Sequence, residues 1–341
     1  MDCPLVSVIV VNWNGKEYVG ETVLSLLQQD YPNREIIVVD NASTDGSYEF
    51  IRDTFGNRVQ LIRRTENTGF AKGNNCGIRV AKGKYMFLLN NDAVAEKSWI
   101  TELVKIGEEN PDAGMCACKV LNYFEHDTID TVGHLIYRDG LNRGRGRLEK
   151  DSGQYDRIEE VFFPSGAAAL YRKAMLDEIG LLDENFFAYG EDADIGIRGR
   201  LAGWKCIYVP RAVVYHRYSG STCAYSPLKA FLVERNRIWV ALKNFPISLL
   251  LLNPFYTIQR YFWQAYGVFS KKGATGKYIE NYSRSSLLLI LLKANVCAVA
   301  GAFHMYKKRY WIKKITKVSR REILSWFKTY AIAVKSLSLR S

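Results

Sequence analysis

The stretch Ile37-Val-Val-Asp-Asn-Ala-Ser-Thr-Asp-Gly-Ser47 changes from apolar to polar at Asp40. Its branched apolar start is typical of a buried strand, and its Asp, Asn, Ser and Gly residues are typical of a turn. Similar apolar runs lie at Val6–Val11, Val59–Ile62 and Tyr85–Leu89. Stretches with helical spacing separate these runs, as in Tyr18–Gln29. The alternation predicts an α/β fold with a doubly wound, mostly parallel sheet.

Charge is divided unevenly along the 341 residues. Residues 231–341 hold 20 Lys and Arg against 3 Asp and Glu, whereas residues 1–230 hold 27 against 32. We therefore expect a folded domain over 1–230 followed by a basic, apolar helical tail over 231–341. Residues 121–160 are polar and hard to assign, and within them we expect Arg143–Arg147 to form a mobile loop.

The tail has the pattern of a membrane-associated segment. Ser286–Tyr306 is apolar but carries Lys293 and Asn295, which makes it a marginal spanning helix. Lys307–Ile315 alternates basic with large apolar residues, as helices lying in a membrane interface do. The pattern favours in-plane attachment to an anionic membrane over a spanning helix or a soluble dimer surface. Nucleic acid is a weaker candidate partner, because the cations are interleaved with long apolar runs.

Cysteine usage and the N-terminus bear on the compartment. The seven cysteines are scattered and form no repeated CxxC pair, which disfavours zinc ribbons and disulfide scaffolds. The first apolar run lacks a preceding basic region, so we interpret it as a strand instead of a signal peptide. These features favour a cytoplasmic setting.

Polar residues follow each of the first four predicted strands. These ends are Asn12–Gly15, Asp40–Gly46, Glu66–Phe70 and Asn90–Asp92. Because ligands bind beyond the carboxyl ends of such strands, the pattern predicts one site. Neither G-x-G-x-x-G nor a P-loop follows the first strand. Trp13 could stack on a base, Asp40 could bond a base or ribose, and Gly69 permits close backbone approach. Simple packing for Trp13 and an Asx-turn for Asp40 remain alternatives.

Three further positions suit chemistry at this site. Asp92 with Asn90 nearby suits a hard cation such as Mg²⁺ or Mn²⁺, although a strand-end Asp can also close a turn. The acids of Glu191–Asp194 open a predicted helix, where capping and a general base for a hydroxyl nucleophile are equally good explanations. His216 ends a strand and could bind a metal or phosphate, or be a buried structural histidine.

Taken together, these residues resemble the family 2 glycosyltransferases of the GT-A fold, and within them the rhamnosyltransferase-type enzymes of surface-polysaccharide assembly. The resemblance covers roughly residues 4–245. It rests on six ordered blocks and His216. The blocks are Val8–Asn14, Ile37–Ser47, Glu66–Gly77, Leu88–Asp92, Pro164–Ala168 and Phe186–Asp194.

The resemblance implies a role for each matching residue. The nucleotide would be bound by Asn12, Trp13, Asp40 and Gly69. The sugar or acceptor would be bound by Asn90, Ser165, Gly166 and Glu191. A metal would be held by Asp92 and His216, and Asp192 would be the base, supported by Glu191. Asn90 stands where the family has the first Asp of its D-x-D motif, which removes one charge. The resemblance also implies a nucleotide-sugar half over about 1–120 and an acceptor half over about 121–230.

The function implied is that of an inverting, metal-dependent transferase at the inner face of the cell membrane. Its donor would be dTDP-rhamnose or a UDP-sugar, and its acceptor a hydroxyl of a glycan or lipid-linked glycan. A sugar nucleotidyltransferase is one alternative, but it should carry a glycine- and basic-rich triphosphate loop after the first strand. The other is a non-catalytic membrane scaffold that binds nucleotide sugars, which the intact carboxylates disfavour.

Overall fold

The computed structural model describes residues 3–218 and 225–340. Within these ranges the chain forms two units. The first contains residues 3–133 and 144–218, and the second contains residues 134–143 and 225–340. The six cysteines that are described are unpaired, and Cys223 lies outside the described residues.

Strands and helices alternate along the first unit, and helices make up most of the second. The strands are β1 Val6–Asn12, β2 Arg34–Asp40, β3 Gln60–Arg63, β4 Tyr85–Asn90, β5 Ala93–Ala95, β6 Ala113–Asn122, β7 Ile129–Thr131, β8 His134–Ile136, β9 Asn142–Gly144, β10 Glu159–Val161, β11 Ala168–Arg172 and β12 Lys205–His216. The helices are α1 Lys16–Leu27, α2 Ser47–Phe55, α3 Gly69–Val80, α4 Trp99–Glu109, α5 Lys173–Ile179, α6 Glu191–Leu201, α7 Pro227–Asn244, α8 Ile247–Ser270, α9 Gly273–Asn281, α10 Arg284–Ile315, α11 Arg320–Thr329 and α12 Val334–Leu339.

The main sheet has the order β10-β12-β6-β11-β4-β1-β2-β3. The neighbours β1–β2, β1–β4, β2–β3 and β6–β12 are parallel, whereas β11 runs antiparallel between β4 and β6. Six of the seven residues of β1 are buried, as expected for a strand whose two faces are both covered. The predicted α/β class with a mostly parallel sheet is confirmed.

The register of the sheet brings several strand ends to one edge. Asn12 pairs with Asp40 across β1 and β2, and Val11 pairs with Asn90 across β1 and β4. His216 ends β12 at the same edge, next to the short strand β5 that follows β4. Polar residues that are far apart in the sequence therefore meet beyond the carboxyl ends of the parallel strands.

Two local expectations differ from the structure. The sequence pattern predicts two strands, Lys205–Val209 and Ala212–Tyr215, separated by a turn at Pro210-Arg211, but the structure forms one strand, β12, with a register shift against β6. The segment Arg143–Arg147, expected as a mobile loop, starts within β9 and continues as a turn, which ion pairs of Arg145 with Glu159 and of Arg147 with Asp130 hold in place. Opposite charges, absent from the local sequence pattern, fix this segment.

The second unit contains two long apolar helices. Helix α8 continues through Pro254, and α10 joins the apolar stretch and the basic segment after it into one helix of 32 residues. Among the described residues, α10 is the one helix long and apolar enough to cross a membrane, judged by length and composition alone.

Candidate active site

Asn12 holds three strand ends together. It is fully buried at the end of β1. Its amide nitrogen donates to Ser47 Oγ at 2.9 Å and to Ser43 Oγ at 3.2 Å, and its Oδ1 accepts from Asn91 Nδ2 at 2.9 Å. The nitrogen and the oxygen of this side-chain amide both form hydrogen bonds within the protein. Asn12 therefore fixes the loops that follow β1, β2 and β4.

Asp40 is also fully buried, whereas Trp13 reaches solvent. Asp40 Oδ2 accepts from the Ser43 N–H at 3.1 Å, which is the Asx-turn considered above. Trp13 is 36% exposed. Asn14 and Ala42 have positive φ angles of 49° and 62°, in a region that non-glycine residues seldom occupy. Strained backbone of this kind is common around binding sites.

Gly69 makes a close approach that a side chain would prevent. Its φ is +82°, and a Cβ added to it would lie 2.5 Å from the Phe187 carbonyl oxygen. That carbonyl accepts from the Ala71 N–H at 3.1 Å. Phe187 and Tyr189 each have φ of 66°, so strain is concentrated in the loop before α6. The glycine thus brings the start of α3 against the loop that leads into the acidic cluster.

The three acids at the start of α6 have different environments. Asp194 is fully buried and pairs with Arg198 at 3.0 Å. The Arg198 guanidinium also donates to the carbonyls of Gly180 and Leu181 at 3.2 and 2.8 Å. Asp194 is therefore part of the structural support of α6, and two acids remain for chemistry.

Glu191 and Asp192 form a coupled pair. Glu191 is 5% exposed, and among the described residues its Oε2 has no hydrogen-bond partner. Burial, followed by the charge of Asp192, raises the pKa of Glu191 to about 8. Asp192 is less buried, and its Oδ2 accepts from the Gly166 N–H at 3.3 Å. Glu191 thus holds a proton near neutral pH beside a more accessible carboxylate.

A short loop connects this pair to the metal candidates. Gly166 donates to Asp192, and the next residue, Ala167, accepts from the Asn90 N–H at 2.9 Å. Ser165 Oγ accepts from the Ala167 N–H at 3.2 Å. The carboxylate of Asp192 and the end of β4 therefore lie on the same edge of the sheet, separated by this loop.

Asp92 and His216 lie side by side in the interior. They are 2% and 6% exposed, and His216 Nε2 is 3.3 Å from Asp92 Oδ1 and 3.3 Å from Asn90 Nδ2. His216 Nδ1 lies 2.8 Å from Asp130 Oδ2. Burial lowers the pKa of His216, but Asp92 and Asp130 outweigh it and raise the pKa to about 10. Two carboxylates thus favour the protonated imidazolium near neutral pH, and Nε2 can bind a metal ion only after it loses its proton.

The donor set at this point suits a loosely held divalent cation. Within the described residues, no group of three or more His, Cys, Asp or Glu side chains is placed to hold a metal ion. What remains is one carboxylate, one imidazole and the Asn90 Oδ1, which is buried without a hydrogen-bond partner among the described residues. Mg²⁺ and Mn²⁺ complete such partial shells with phosphate oxygens and water. Asp92, His216 and Asn90 therefore fit a metal that shares its shell with a diphosphate.

Asp130 is the residue that sequence reasoning missed. It lies on β7, within the segment that the sequence left unassigned, and it bonds His216 and Arg147. The Arg147 guanidinium in turn stacks over the Tyr218 ring at 4.0 Å. A single Asp in a three-residue strand gives no sequence signal, because only the tertiary structure brings it to the imidazole.

Comparison with known proteins now adds to this geometry. Residues 7–180, half of the chain, match the family model described as glycosyl transferase family 2. The chain belongs to this family. The family expected from the six sequence blocks is thereby confirmed, and a nucleotidyltransferase is no longer a competing interpretation.

Relatives within the family differ in how much of their length is matched. Glycosyltransferase GlyG of Streptococcus pneumoniae serotype 4 is 38% identical over 216 residues, which are 54% of this chain and 70% of that protein. The Escherichia coli enzyme UDP-Glc:alpha-D-GlcNAc-diphosphoundecaprenol beta-1,3-glucosyltransferase WfaP is 36% identical over 97 residues, 28% of this chain and 37% of that protein. The chain thus spans only about a third of the length of some curated relatives.

Solved structures support the fold. The mannosyltransferase PcManGT from Pyrobaculum calidifontis, in complex with GDP-Man and Mn²⁺, superimposes with a TM-score of 0.54 at 16% identity. The superposition covers 92% of this chain and 86% of that one. At this identity the likeness shows a shared GT-A-type architecture.

Proposed function

We propose that this chain transfers a sugar from a nucleotide-diphosphate donor to a hydroxyl of a glycan or lipid-linked acceptor, with inversion, in surface-polysaccharide synthesis. One observation carries the proposal. The accessible carboxylate of Asp192 and the buried pair Asp92–His216 lie on one sheet edge, connected through the hydrogen bonds of Gly166 and Ala167. A base and a diphosphate site on one edge are what a single-displacement transfer requires.

Asp192 would act as the general base. Its carboxylate takes the proton from the acceptor hydroxyl as the oxygen forms a bond to the anomeric carbon. The bond from that carbon to the diphosphate breaks at the same time, and attack from the opposite face inverts the configuration. The Gly166 N–H fixes the carboxylate, and protonated Glu191 avoids a second negative charge beside it.

The diphosphate would be bound at the end of β4. Asp92 and His216, with the Asn90 Oδ1, would hold Mg²⁺ or Mn²⁺. Such an ion, when bound, neutralises the charge that develops on the departing diphosphate. Because Asn90 brings no charge, we expect weak affinity for the ion until the donor supplies its phosphate oxygens.

The nucleotide would lie at the ends of β1 and β2. Trp13 offers an exposed ring to a base, and Asn12, Asp40 and Gly69 shape the loops around it. We favour dTDP-rhamnose as the donor and a UDP-sugar as the second choice. The name of WfaP specifies a UDP-linked donor and a diphosphoundecaprenol-linked acceptor, and this chain would use an acceptor of the same class.

The basic tail, residues 231–341, would be the part that meets an anionic membrane surface. Three acids against 20 Lys and Arg give this part a strong attraction for anionic lipids. The enzyme would then be cytoplasmic and peripheral at the inner face of the cell membrane, where a lipid-linked acceptor is accessible. We do not expect nucleic acid to be a partner.

A panel of nucleotide sugars tests the donor half of the proposal. The melting temperature is measured with each sugar in the presence and absence of Mn²⁺, because a ligand that binds the folded state stabilises it by mass action. We expect one donor to give a clear upward shift that depends on Mn²⁺ and is lost in Asp92→Ala. The matched control is Asp177→Ala, an exposed acid on α5. The proposal fails if no donor raises the melting temperature. It also fails if the protein forms no product from lipid-linked glycan and the donor that raises its melting temperature.

A further inference from the structure

Helix α10 has one side in the protein and the opposite side in solvent. The buried side consists of Leu287, Ala294, Ala298, Met305, Arg309 and Ile312. The exposed side consists of Leu288, Leu292, Val296, Val299, Phe303, Tyr306 and Tyr310, each 52–74% exposed. The spacing of three and four residues places each set on one face. The exposed set is apolar over nearly the whole length of the helix.

The buried side of α10 packs on α7. Trp239 Nε1 donates to the Ala298 carbonyl at 3.1 Å, and Arg309 donates to the Leu242 carbonyl at 3.1 Å. A Cβ added to Gly301 would lie 2.6 Å from the Trp239 ring. A bilayer could therefore surround α10 only if α7 entered it as well. Helix α7 carries Lys, Arg and Glu residues, whose transfer into hydrocarbon is costly.

Helix α8 repeats the arrangement. Its exposed side consists of Leu251, Phe255, Ile258, Phe262, Tyr266 and Phe269, each 51–78% exposed. Its one charged residue, Arg260, is fully buried on the opposite side and bonds Asp139 and Glu234. No charge interrupts the exposed side of this helix. Large apolar patches of this kind mark contact surfaces.

Two side-chain contacts between α8 and α10 indicate that their exposed sides lie on a common face. The end of α8 is next to the start of α10, because the Arg284 guanidinium lies 5.2 Å from the centroid of the Phe269 ring. The middles are joined by Asn295, which donates to the Tyr261 hydroxyl at 2.9 Å. Tyr261 and Asn295 each directly precede an exposed residue, about 100° away around the helix. In an antiparallel pair this offset turns both apolar sides in the same direction.

Lysines lie at the ends of this face. Lys271, Lys272 and Lys277 are exposed after the end of α8, and Lys307, Lys313 and Lys314 are exposed near the end of α10. Lys307 and Lys314 lie over the Phe303 and Tyr310 rings at 4.4 and 4.7 Å. Aromatic rings with cations beside them suit the boundary between acyl chains and headgroups. The same region of a second copy would offer few acids to such a surface, because residues 231–341 hold three Asp and Glu against 20 Lys and Arg.

We propose that α8 and α10 form an antiparallel hairpin that lies in the plane of one anionic leaflet, with its apolar face in the acyl boundary, and that neither helix spans the bilayer. This inference deepens the membrane attachment proposed above and does not depend on the transfer reaction. It also gives a role to α8, which the sequence pattern had not distinguished as a membrane element.

Vesicle flotation of the full chain tests whether the apolar face of α8 and α10 binds an anionic membrane. The vesicles are phosphatidylcholine with or without phosphatidylglycerol. We expect binding that requires phosphatidylglycerol and falls at least about tenfold in the double variant Phe262→Gln, Val299→Gln. The control is Phe124→Gln, which removes a ring that is 75% exposed in the first unit. Circular dichroism checks that each variant is folded. Unchanged binding of the double variant, or a soluble dimer that ignores both vesicles, would overturn the proposal.

A labelling experiment separates an in-plane hairpin from a spanning helix. Ser285→Cys and Lys313→Cys place thiols near opposite ends of α10, and a membrane-impermeant maleimide is applied to intact cells and to inverted membranes, with the parent chain as the background. We expect both positions to react in inverted membranes and neither in intact cells. Reaction of the two ends from opposite sides refutes the in-plane hairpin while leaving membrane attachment intact. Product formation with a detergent-solubilised acceptor reports on the transfer separately.

Discussion

Two glutamates that are buried to the same extent behave in opposite ways. Glu191 in the first unit is 5% exposed, and Glu234 in the second is 4% exposed. Burial raises the pKa of both, but Glu191 then faces Asp192 and its pKa reaches about 8. Glu234 lies between Arg237 and Arg260, which outweigh burial and lower its pKa to about 2. Burial alone does not set the charge of a buried acid, because its partners decide.

The partners also distinguish structural from reactive polar groups. Glu234 accepts two bonds from Arg260 at 3.0 Å and one from the Tyr261 hydroxyl at 2.6 Å, and Asp139 accepts from Arg260 at 2.5 Å. Such a network leaves its buried charges paired. In the first unit, Glu191 Oε2 and Asn90 Oδ1 have no partner among the described residues. Unpaired buried atoms cost stability, and we infer that a ligand satisfies them during the reaction.

The largest effect that the comparison predicts is on turnover, at Asp192, the more accessible neighbour of Glu191. Asp192→Asn keeps the shape and the contact to Gly166 but removes the proton acceptor. We expect turnover to fall ~10²–10⁴-fold, while the thermal shift by the donor is retained. Asp177→Asn on the surface of α5 is the control. Turnover of Asp192→Asn close to that of the parent would remove this residue from the role of base.

In the second unit the same kind of change should affect stability instead of chemistry. Arg260→Met removes one of the two buried cations that Asp139 and Glu234 share, and leaves Arg237 as the other. We expect the free energy of unfolding to fall by about 3–5 kcal/mol, measured by urea denaturation. Arg211→Met, whose side chain is 80% exposed, should change it by less than about 0.5 kcal/mol. A loss in Arg260→Met no larger than in this control would mean that the network is not structural.

The sequence predicts the polar site at the sheet edge of the first unit better than the buried network around Arg260 in the second unit. Asp40, Asn90 and His216 each end a strand with clear period-two or apolar patterning, so their shared edge follows from the fold class. The network around Arg260 joins α7, α8 and the segment before β9, and nothing local to any of them indicates the pairing. The acids of α6 are likewise equivalent in sequence, and only Arg198 shows that Asp194 is structural.

Asp130 allows the comparison to be tested at a residue that positions a site side chain, the imidazole of His216. Asp130→Ala removes the carboxylate that bonds His216 Nδ1, and such partners of metal-binding histidines typically contribute 10–100-fold to affinity. We expect the affinity for Mn²⁺ in the presence of UDP, measured by electron paramagnetic resonance, to fall about 10–100-fold. Asp130→Asn, which keeps an acceptor oxygen, should recover part of it. Equal affinity in the parent and in Asp130→Ala would contradict the role.

Because the pKa of Glu191 is raised, we expect Glu191→Gln to increase the stability of the fold, whereas Arg260→Met decreases it. Below about pH 4.5 the carboxyl is protonated in both the folded and the unfolded chain, so Glu191→Gln should change little. Between there and about pH 8 only the unfolded chain ionises, and the parent loses stability as the pH rises. One unit of pKa shift corresponds to about 1.4 kcal/mol, so we expect Glu191→Gln to be more stable than the parent by at least about 1 kcal/mol near pH 8. Urea denaturation across this range measures the difference. A difference that does not grow with pH would mean that Glu191 is ionised in the folded chain, and the contrast with Glu234 would then disappear.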